Sequence, residues 1–305
     1  MGPGPVVMGV LNVTPDSFSD GGRYADRDAA VAHAVRMHEQ GADLVDVGGE
    51  STRPGADRVD ADTEIARVLP VIRELVAAGV PLSVDTTRAA VAAAALEAGA
   101  AVVNDVSGGL ADPTMTKVVA EAGCPYVIMH WRGHSRRMVE LASYGDVVAD
   151  VCAELSARVD EAITAGIAPD KIIIDPGLGF AKTAEHNWAL TRRIDELLAL
   201  GFPVLVATSR KSYLGKLLAG PDQTPRPVGE REAATVATSV LAFAAGIWGV
   251  RVHDVRATVD ALAVWRASGS PRLAPSGPPP SRTRHPAAPE PLWQTRQPAA
   301  PEPPR

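Results

Sequence analysis

Cysteine is nearly missing from this chain: Cys124 and Cys152 are the two among 305 residues. Neither stands at the spacing of a metal knuckle or a Cys-x-x-Cys redox pair, which excludes a disulfide framework and a sulfur-ligated metal. Cys124, next to the apolar run 126–129, reads as a small buried hydrophobe. A long apolar run is also lacking. The longest weakly charged stretch, 233–250, is rich in alanine and interrupted by Thr235, Thr238 and Ser239, so it reads as a helix packed on a sheet and no membrane span is expected. The N-terminal residues carry neither the basic stretch nor the cleavage site of a secretory signal, and Val6 stands where a myristoylation signal needs Ser or Thr. A reducing, cytoplasmic setting is expected. Excess positive charge is absent too. The net charge is −6, and the last 36 residues hold five Arg against two Glu, which leaves residues 1–269 at a formal −9. Such an acidic body argues against nucleic-acid or anionic-membrane partners while allowing a local cationic pocket.

What is present is an ordinary globular body with an unusual end. Hydrophobic residues make up 46% of the chain and charged residues 22%, enough for one large α/β core. Residues 270–305 hold 12 of the 26 prolines, with Pro-Ala-Ala-Pro-Glu-Pro occurring twice. That composition cannot propagate a helix or pair in a sheet, so a disordered tail (269–305) is expected after a folded domain (1–268).

Short apolar runs rich in β-branched residues recur at 6–13, 44–47, 80–84, 101–103, 126–129, 172–174, 204–207 and 250–252, each followed by a longer segment of helical period. Alternation of strands apolar on both faces with helices implies parallel pairing and right-handed crossovers. Eight such units match a single (β/α)8 TIM barrel; a doubly wound open sheet is the alternative.

Polar residues choose between the two. Asn12, Asp46, Asp85, Asn104 with Asp105, His130, Asp175, the group Ser209, Arg210 and Lys211, and Arg251 with His253 stand at the ends of the runs. In a barrel those ends converge on one mouth, where distant residues can meet around one ligand. Singly, each has a structural alternative, capping a helix or bonding loop amides. Asp85 and Asp175 read as receptors for an amine or amidine edge, against structural pairing with Arg88 or Lys182. Arg251 and His253, two apart on a strand, point the same way and suit a phosphate, as does the group at 209–211. The loop Gly177-Leu178-Gly179-Phe180-Ala181-Lys182 lacks the third glycine of a dinucleotide fingerprint and reads as a close backbone approach that offers Phe180 to a flat ring. The glycine-flanked loops 12–22 and 48–55 read as lids. The stretch 133–144 carries no motif.

In this order and at these spacings, NVTPDSFSDGG, GGESTRPG, SVDTTR, NDVSGG, DPGLGFAKT, TSRK and RVHDV resemble the dihydropteroate synthases from residue 5 to about 268, with a composition most similar to actinobacterial members. The resemblance implies condensation of 6-hydroxymethyl-7,8-dihydropterin diphosphate with 4-aminobenzoate, by an SN1-like displacement of diphosphate, on the route to folate. It implies that Asp85, Asn104, Asp175 and Lys211 bind the pterin and Arg251 and His253 the diphosphate. Asp85, Lys211, Arg251 and His253 are then the catalytic set, and Asn12 falls at the position associated with Mg2+. Phe18, Thr52, Pro54, Phe180, Lys211 and Ser212 would line the 4-aminobenzoate pocket, the site sulfonamides mimic. Arg53 and Asp20 belong to the lids. A homodimer is implied as well. Two readings compete: an inactive pterin-binding paralogue, which would be expected to have lost lid or anion-site residues, and a pterin-dependent methyltransferase barrel, which has no use for the Arg251/His253 pair.

Overall fold

The computed structural model describes residues 5–14, 22–50, 58–133 and 140–269. Along the chain follow β1 (Val6–Asn12), α1 (Gly22–Glu39), β2 (Leu44–Gly48), α2 (Ala61–Ala77), β3 (Leu82–Asp85), α3 (Ala89–Glu97), β4 (Val102–Asp105), α4 (Met115–Ala122) and β5 (Tyr126–Met129). The second half continues with α5 (Val147–Thr164), β6 (Ile172–Asp175), α6 (Ala184–Arg192), α7 (Ile194–Leu198), β7 (Leu205–Val206), α8 (Ser212–Leu217), α9 (Glu232–Ala245), β8 (Gly249–Val252) and α10 (Val255–Ala267). Each of the eight apolar runs overlaps a strand. All strands are parallel, in the order β6-β5-β4-β3-β2-β1-β8-β7. The ring is completed where Ile174 bridges Val204 and its N–H donates to Pro203 O at 2.9 Å. The fold is the (β/α)8 barrel and not the open sheet. The Pro-rich segment 270–305 lies outside the described residues.

Because side chains alternate across a strand, each strand feeds two cores. Val7, Leu11, Val45, Val47, Leu82, Val84, Val103, Tyr126 and Ile128 face outward into a continuous core with the helices. Met8, Leu44, Val102, Val127, Ile173 and Leu205 face inward and form a separate apolar plug inside the barrel. Full burial of such side chains stabilises by about 1.5–3 kcal/mol each.

Helix starts are capped by residues in the connections. Asp60 accepts from Thr63 N (2.7 Å), Asp146 from Val148 N (2.9 Å) and Asp254 from Ala257 N (3.0 Å), while Thr183 and His186 form a capping box. Asp105 takes the plain structural role open to a polar residue at a strand end. Its carboxylate accepts from Ser107 N (2.8 Å) and Oγ (2.7 Å), Gly109 N (2.7 Å) and Tyr126 OH (2.8 Å). Asp175 makes one such loop bond, to Gly177 N, whereas Asp46 and Asp85 turn to Arg251.

Candidate active site

Directly above the plug, the inward positions turn polar. Asp46, fully buried in the middle of β2, accepts from Ser83 Oγ at 2.5 Å, Asn104 Nδ2 at 2.8 Å and Arg251 Nε at 2.6 Å. The same guanidinium donates through Nη2 to Asp85 Oδ2 at 2.8 Å. Parallel register sets Gly48 beside Asp85 and Asp85 beside Asn104, so the network follows from strand pairing. Burial pushes the Asp85 carboxyl up to about 7, against the opposing pull of Arg251, while Asp46 raises it further. Burial alone would lower the Arg251 pKa, but Asp46 and Asp85 outweigh it and hold the charge more firmly than usual. A buried cation held between two carboxylates is a tolerable arrangement; either carboxylate without it is not.

Asp175 ends β6 on the same inner face. Its Oδ1 accepts from Gly177 N at 2.7 Å, and burial raises its pKa, partly opposed by that bond and by Lys211. The glycines here are required. At Gly177 the backbone has φ 66°, and a Cβ would stand 2.3 Å from His130 O; at Gly179 one would meet the Lys211 stem at 2.8 Å. The turn therefore lays the lysine across the loop, with Nζ 4.1 Å from the centre of the Phe180 ring. Burial lowers the Lys211 amine to about 8, with Asp175 pulling the other way.

The structural pairings weighed for the two acids do not form. Among the described residues, Arg88 binds Glu50 (2.8 Å) and Glu64 (2.5 Å), and Lys182 turns to His130 and Phe180 O.

Arg251 lies on the inner side of β8 and His253 one residue past its end, and their side chains diverge. Arg251 points down to Asp46 and Asp85, and its Nη1 has no partner among the described residues. His253 is held by Ser209, three residues past the end of β7: Ser209 Oγ accepts from His253 N at 3.1 Å and lies 2.9 Å from His253 Nδ1. Ser212 opens α8 just beyond Lys211, and Asn12 closes β1 on the face that carries Met8. Phe18, Thr52 and Pro54, with Asp20 and Arg53, lie outside the described residues.

Asp85, Asn104, Asp175, Lys211 and Arg251 thus converge on a buried floor of alternating acceptors and donors over an apolar plug, a receptor for a flat heterocycle with a polar edge. The sequence profile of the pterin binding enzyme family matches residues 8–253. The dihydropteroate synthase of Mycobacterium leprae is 59% identical over 259 residues, covering 85% of this chain and 91% of that protein. The chain belongs to the dihydropteroate synthase family. The structure of the Xanthomonas albilineans synthase with 4-aminobenzoic acid superimposes with a TM-score of 0.81 at 46% identity, covering 88% of this chain and 94% of that one. The same enzyme in complex with 7,8-dihydropteroate gives 0.78 at 44% identity, with the same coverage.

Two residues of this synthase-family site have partners that the sequence does not show. Asp46 stood out only as one polar strand-end residue among many; the informative sign is a carboxylate in mid-strand, two positions past Leu44 and so on the same inner face. Ser209 was read with Arg210 and Lys211 as a group suited to a phosphate; its hold on His253 has no sequence sign, since the two lie 44 positions apart.

Proposed function

We propose that the protein condenses 6-hydroxymethyl-7,8-dihydropterin diphosphate with 4-aminobenzoate, giving 7,8-dihydropteroate and diphosphate. The observation that carries this reading is the buried floor of Asp85, Asn104, Asp175 and Lys211, whose acceptors and donors alternate as a pterin edge requires. The 7,8-dihydropteroate held by the Xanthomonas albilineans relative supports the same chemistry.

In this reading the carboxylates of Asp85 and Asp175 accept from the pterin ring nitrogens and amine, and Asn104 and Lys211 complete its edge. The C–O bond to diphosphate breaks with its electron pair leaving on oxygen. Positive character then develops on the pterin methylene and spreads into the ring, where the two buried carboxylates stabilise it at low dielectric. The arylamine nitrogen forms the C–N bond with its lone pair and afterwards releases a proton. A neutral amine and a good leaving group need neither a strong general base nor a covalent nucleophile. Arg251 and His253 receive the diphosphate, and Phe180, Lys211 and Ser212, with Phe18, Thr52 and Pro54 from the lids, form the 4-aminobenzoate pocket.

Mg2+ fits this site as a cation held mainly by its substrate. Among the described residues no group of three or more His, Cys, Asp or Glu side chains is arranged to hold a metal, whereas Asn12 offers a neutral hard oxygen on the inner face of β1. Asn12 would hold the ion beside the diphosphate, and the ion would neutralise charge on the leaving group.

A homodimer is also part of the reading, supported by Leu241 on α9 and Val264 on α10, which stay 52% and 70% exposed on helices packed together. Sedimentation at micromolar concentration checks it, and a monomer would refute it. No helix among the described residues is long and apolar enough to cross a membrane. A cytoplasmic setting agrees with Cys124 and Cys152, both unpaired.

The deciding experiment is pyrophosphate release from dihydropterin diphosphate with Mg2+, with and without 4-aminobenzoate, alongside Arg251→Ala. Release that depends on 4-aminobenzoate and disappears in the variant is expected. Tight pterin binding without release would replace this reading with that of an inactive pterin-binding relative.

A further inference from the structure

Beneath the mouths of β5 and β6 runs a chain of polar groups that the condensation does not use. Lys182 Nζ donates to Phe180 O at 3.1 Å and lies 2.9 Å from His130 Nδ1. The other ring nitrogen of His130 is 3.0 Å from Glu154 Oε2 on α5. Glu154 also receives Arg132, whose Nε lies 3.1 Å from the same oxygen and whose Nη2 bonds Oε1. Arg132 lies over the Tyr144 ring, its guanidinium carbon 3.8 Å from the centre, and Tyr144 OH donates to Ala181 O at 3.0 Å. The chain therefore starts on the carbonyl of Phe180 and returns to the carbonyl of the next residue.

Its polarity is fixed by chemistry. Glu154, paired with Arg132, only accepts, so His130 Nε2 carries the ring proton and Nδ1 is the acceptor that faces Lys182. Burial pushes the imidazole down to about 4, consistent with a neutral ring held in one tautomer. What the chain holds is strained. Ala181 has φ 46°, a left-handed conformation that costs a non-glycine residue on the order of 1 kcal/mol and persists only where its surroundings enforce it. The rest of the loop is pinned too, with Gly177 N on Asp175 and Gly179 N on Asn187 Oδ1 at 2.7 Å each. Phe180 itself is 9% exposed, packed with Val106, Met129 and Ala181 and flanked by Trp131 and Leu141.

We propose that Lys182 and Tyr144 are positioning residues for the arylamine substrate, clamping the two carbonyls around Ala181 so that the Phe180 ring stays against Lys211 as a fixed wall. Tyr144 closes the stretch 133–144, which carries no motif in the sequence, and this clamp is the work the structure assigns to it. The proposal rests on the synthase reading and on Phe180 lining the 4-aminobenzoate pocket.

The test uses the full chain with Lys182→Met and Tyr144→Phe. Binding of 6-hydroxymethylpterin is measured by calorimetry, and KM for 4-aminobenzoate and kcat by pyrophosphate release. Lys182→Met is expected to raise KM for 4-aminobenzoate about tenfold, with pterin Kd and kcat within about twofold, the pattern of lost ground-state binding. Tyr144→Phe keeps the ring over Arg132 and loses only the hydroxyl, so it shifts the same constant less. Lys182→Arg, which retains a donor, should recover part of the loss. A general loss of structure would instead move pterin affinity in step. An unchanged KM in a variant that binds pterin normally, or parallel weakening of both substrates, overturns the clamp while leaving the synthase reading intact. Wild-type protein that never turns over 4-aminobenzoate overturns both. Should Lys182→Met fail to fold, Tyr144→Phe decides by the same criteria.

Discussion

Two levels of the same barrel interior differ in kind although the same strands build them. Below lie Met8, Leu44, Val102, Val127, Ile173 and Leu205; one step of two residues up the strands stand Asp46, Asn104 and Asp175 above Leu44, Val102 and Ile173. That step is about 6.6 Å along a parallel strand. The lower level has no bond to make beyond packing and serves stability. The upper level holds charges that cost stability and become useful once a ligand completes them. Division of labour in this molecule runs along each strand, not between domains.

Substitutions can break that contrast. The largest effect is expected for Arg251→Met, which leaves Asp46 and Asp85 as buried carboxylates without their shared cation. Stability should fall by about 3–5 kcal/mol, read as a lower denaturation midpoint, and turnover should vanish. A loss under 1 kcal/mol would mean the ion triad does not organise the upper level. Next is Met8→Ala in the plug, with about 2–4 kcal/mol lost by cavity formation and near-normal kinetics in the protein that remains folded. A change in pterin affinity there would show that the levels are coupled.

Asp175→Ala should do the reverse, lowering kcat/KM by ~10²-fold or more while stability holds or rises, because a desolvated carboxylate is removed. Near-normal kinetics would contradict the placement of the pterin ring. The smallest effect is on pH. With the Asp85 carboxyl raised to about 7 by burial, protons fill the acceptor as pH falls from 8 to 6, so pterin binding should weaken about tenfold over that interval. A conservative Asn at 85 should flatten the profile; a wild-type profile that is already flat would remove Asp85 as the titrating receptor.

Much of this was legible in the sequence, for physical reasons. Strands covered on both faces write themselves as unbroken apolar runs, so the eight-fold count and the barrel could be read directly. The runs begin early and stop short of the ends of β3 and β4, because the closing residues Asp85, Asn104 and Asp105 are polar and carry no apolar signal. In the opposite sense β7 shrinks to Leu205 and Val206, since beyond them Thr208 turns to Thr238 on α9 (2.7 Å) and Ser209 to His253. Asp85, Asn104, Asp175, Lys211 and Arg251 were found by their position at strand ends. Their partners were not, because Asp46 and Arg251 lie 205 positions apart and meet only when the ring closes. The pairing of Arg251 with carboxylates, below the diphosphate role its neighbour His253 suggested, has the same origin.

Ring closure also sets a timetable for the chain during its synthesis. β1 is made first, and its second neighbour, β8, joins at Val6 and Gly249 only when nearly the whole barrel exists. At ribosomal rates of about 5–20 residues per second, roughly 10–40 s separate Asp46 from Arg251. Throughout that interval the nascent sheet has an open edge and its central carboxylates have no cation. The last strand to emerge therefore seals the edge and neutralises the interior in one event, and a ribosome that stalls shortly before it releases a chain both sticky and internally charged, a natural substrate for chaperones and proteases.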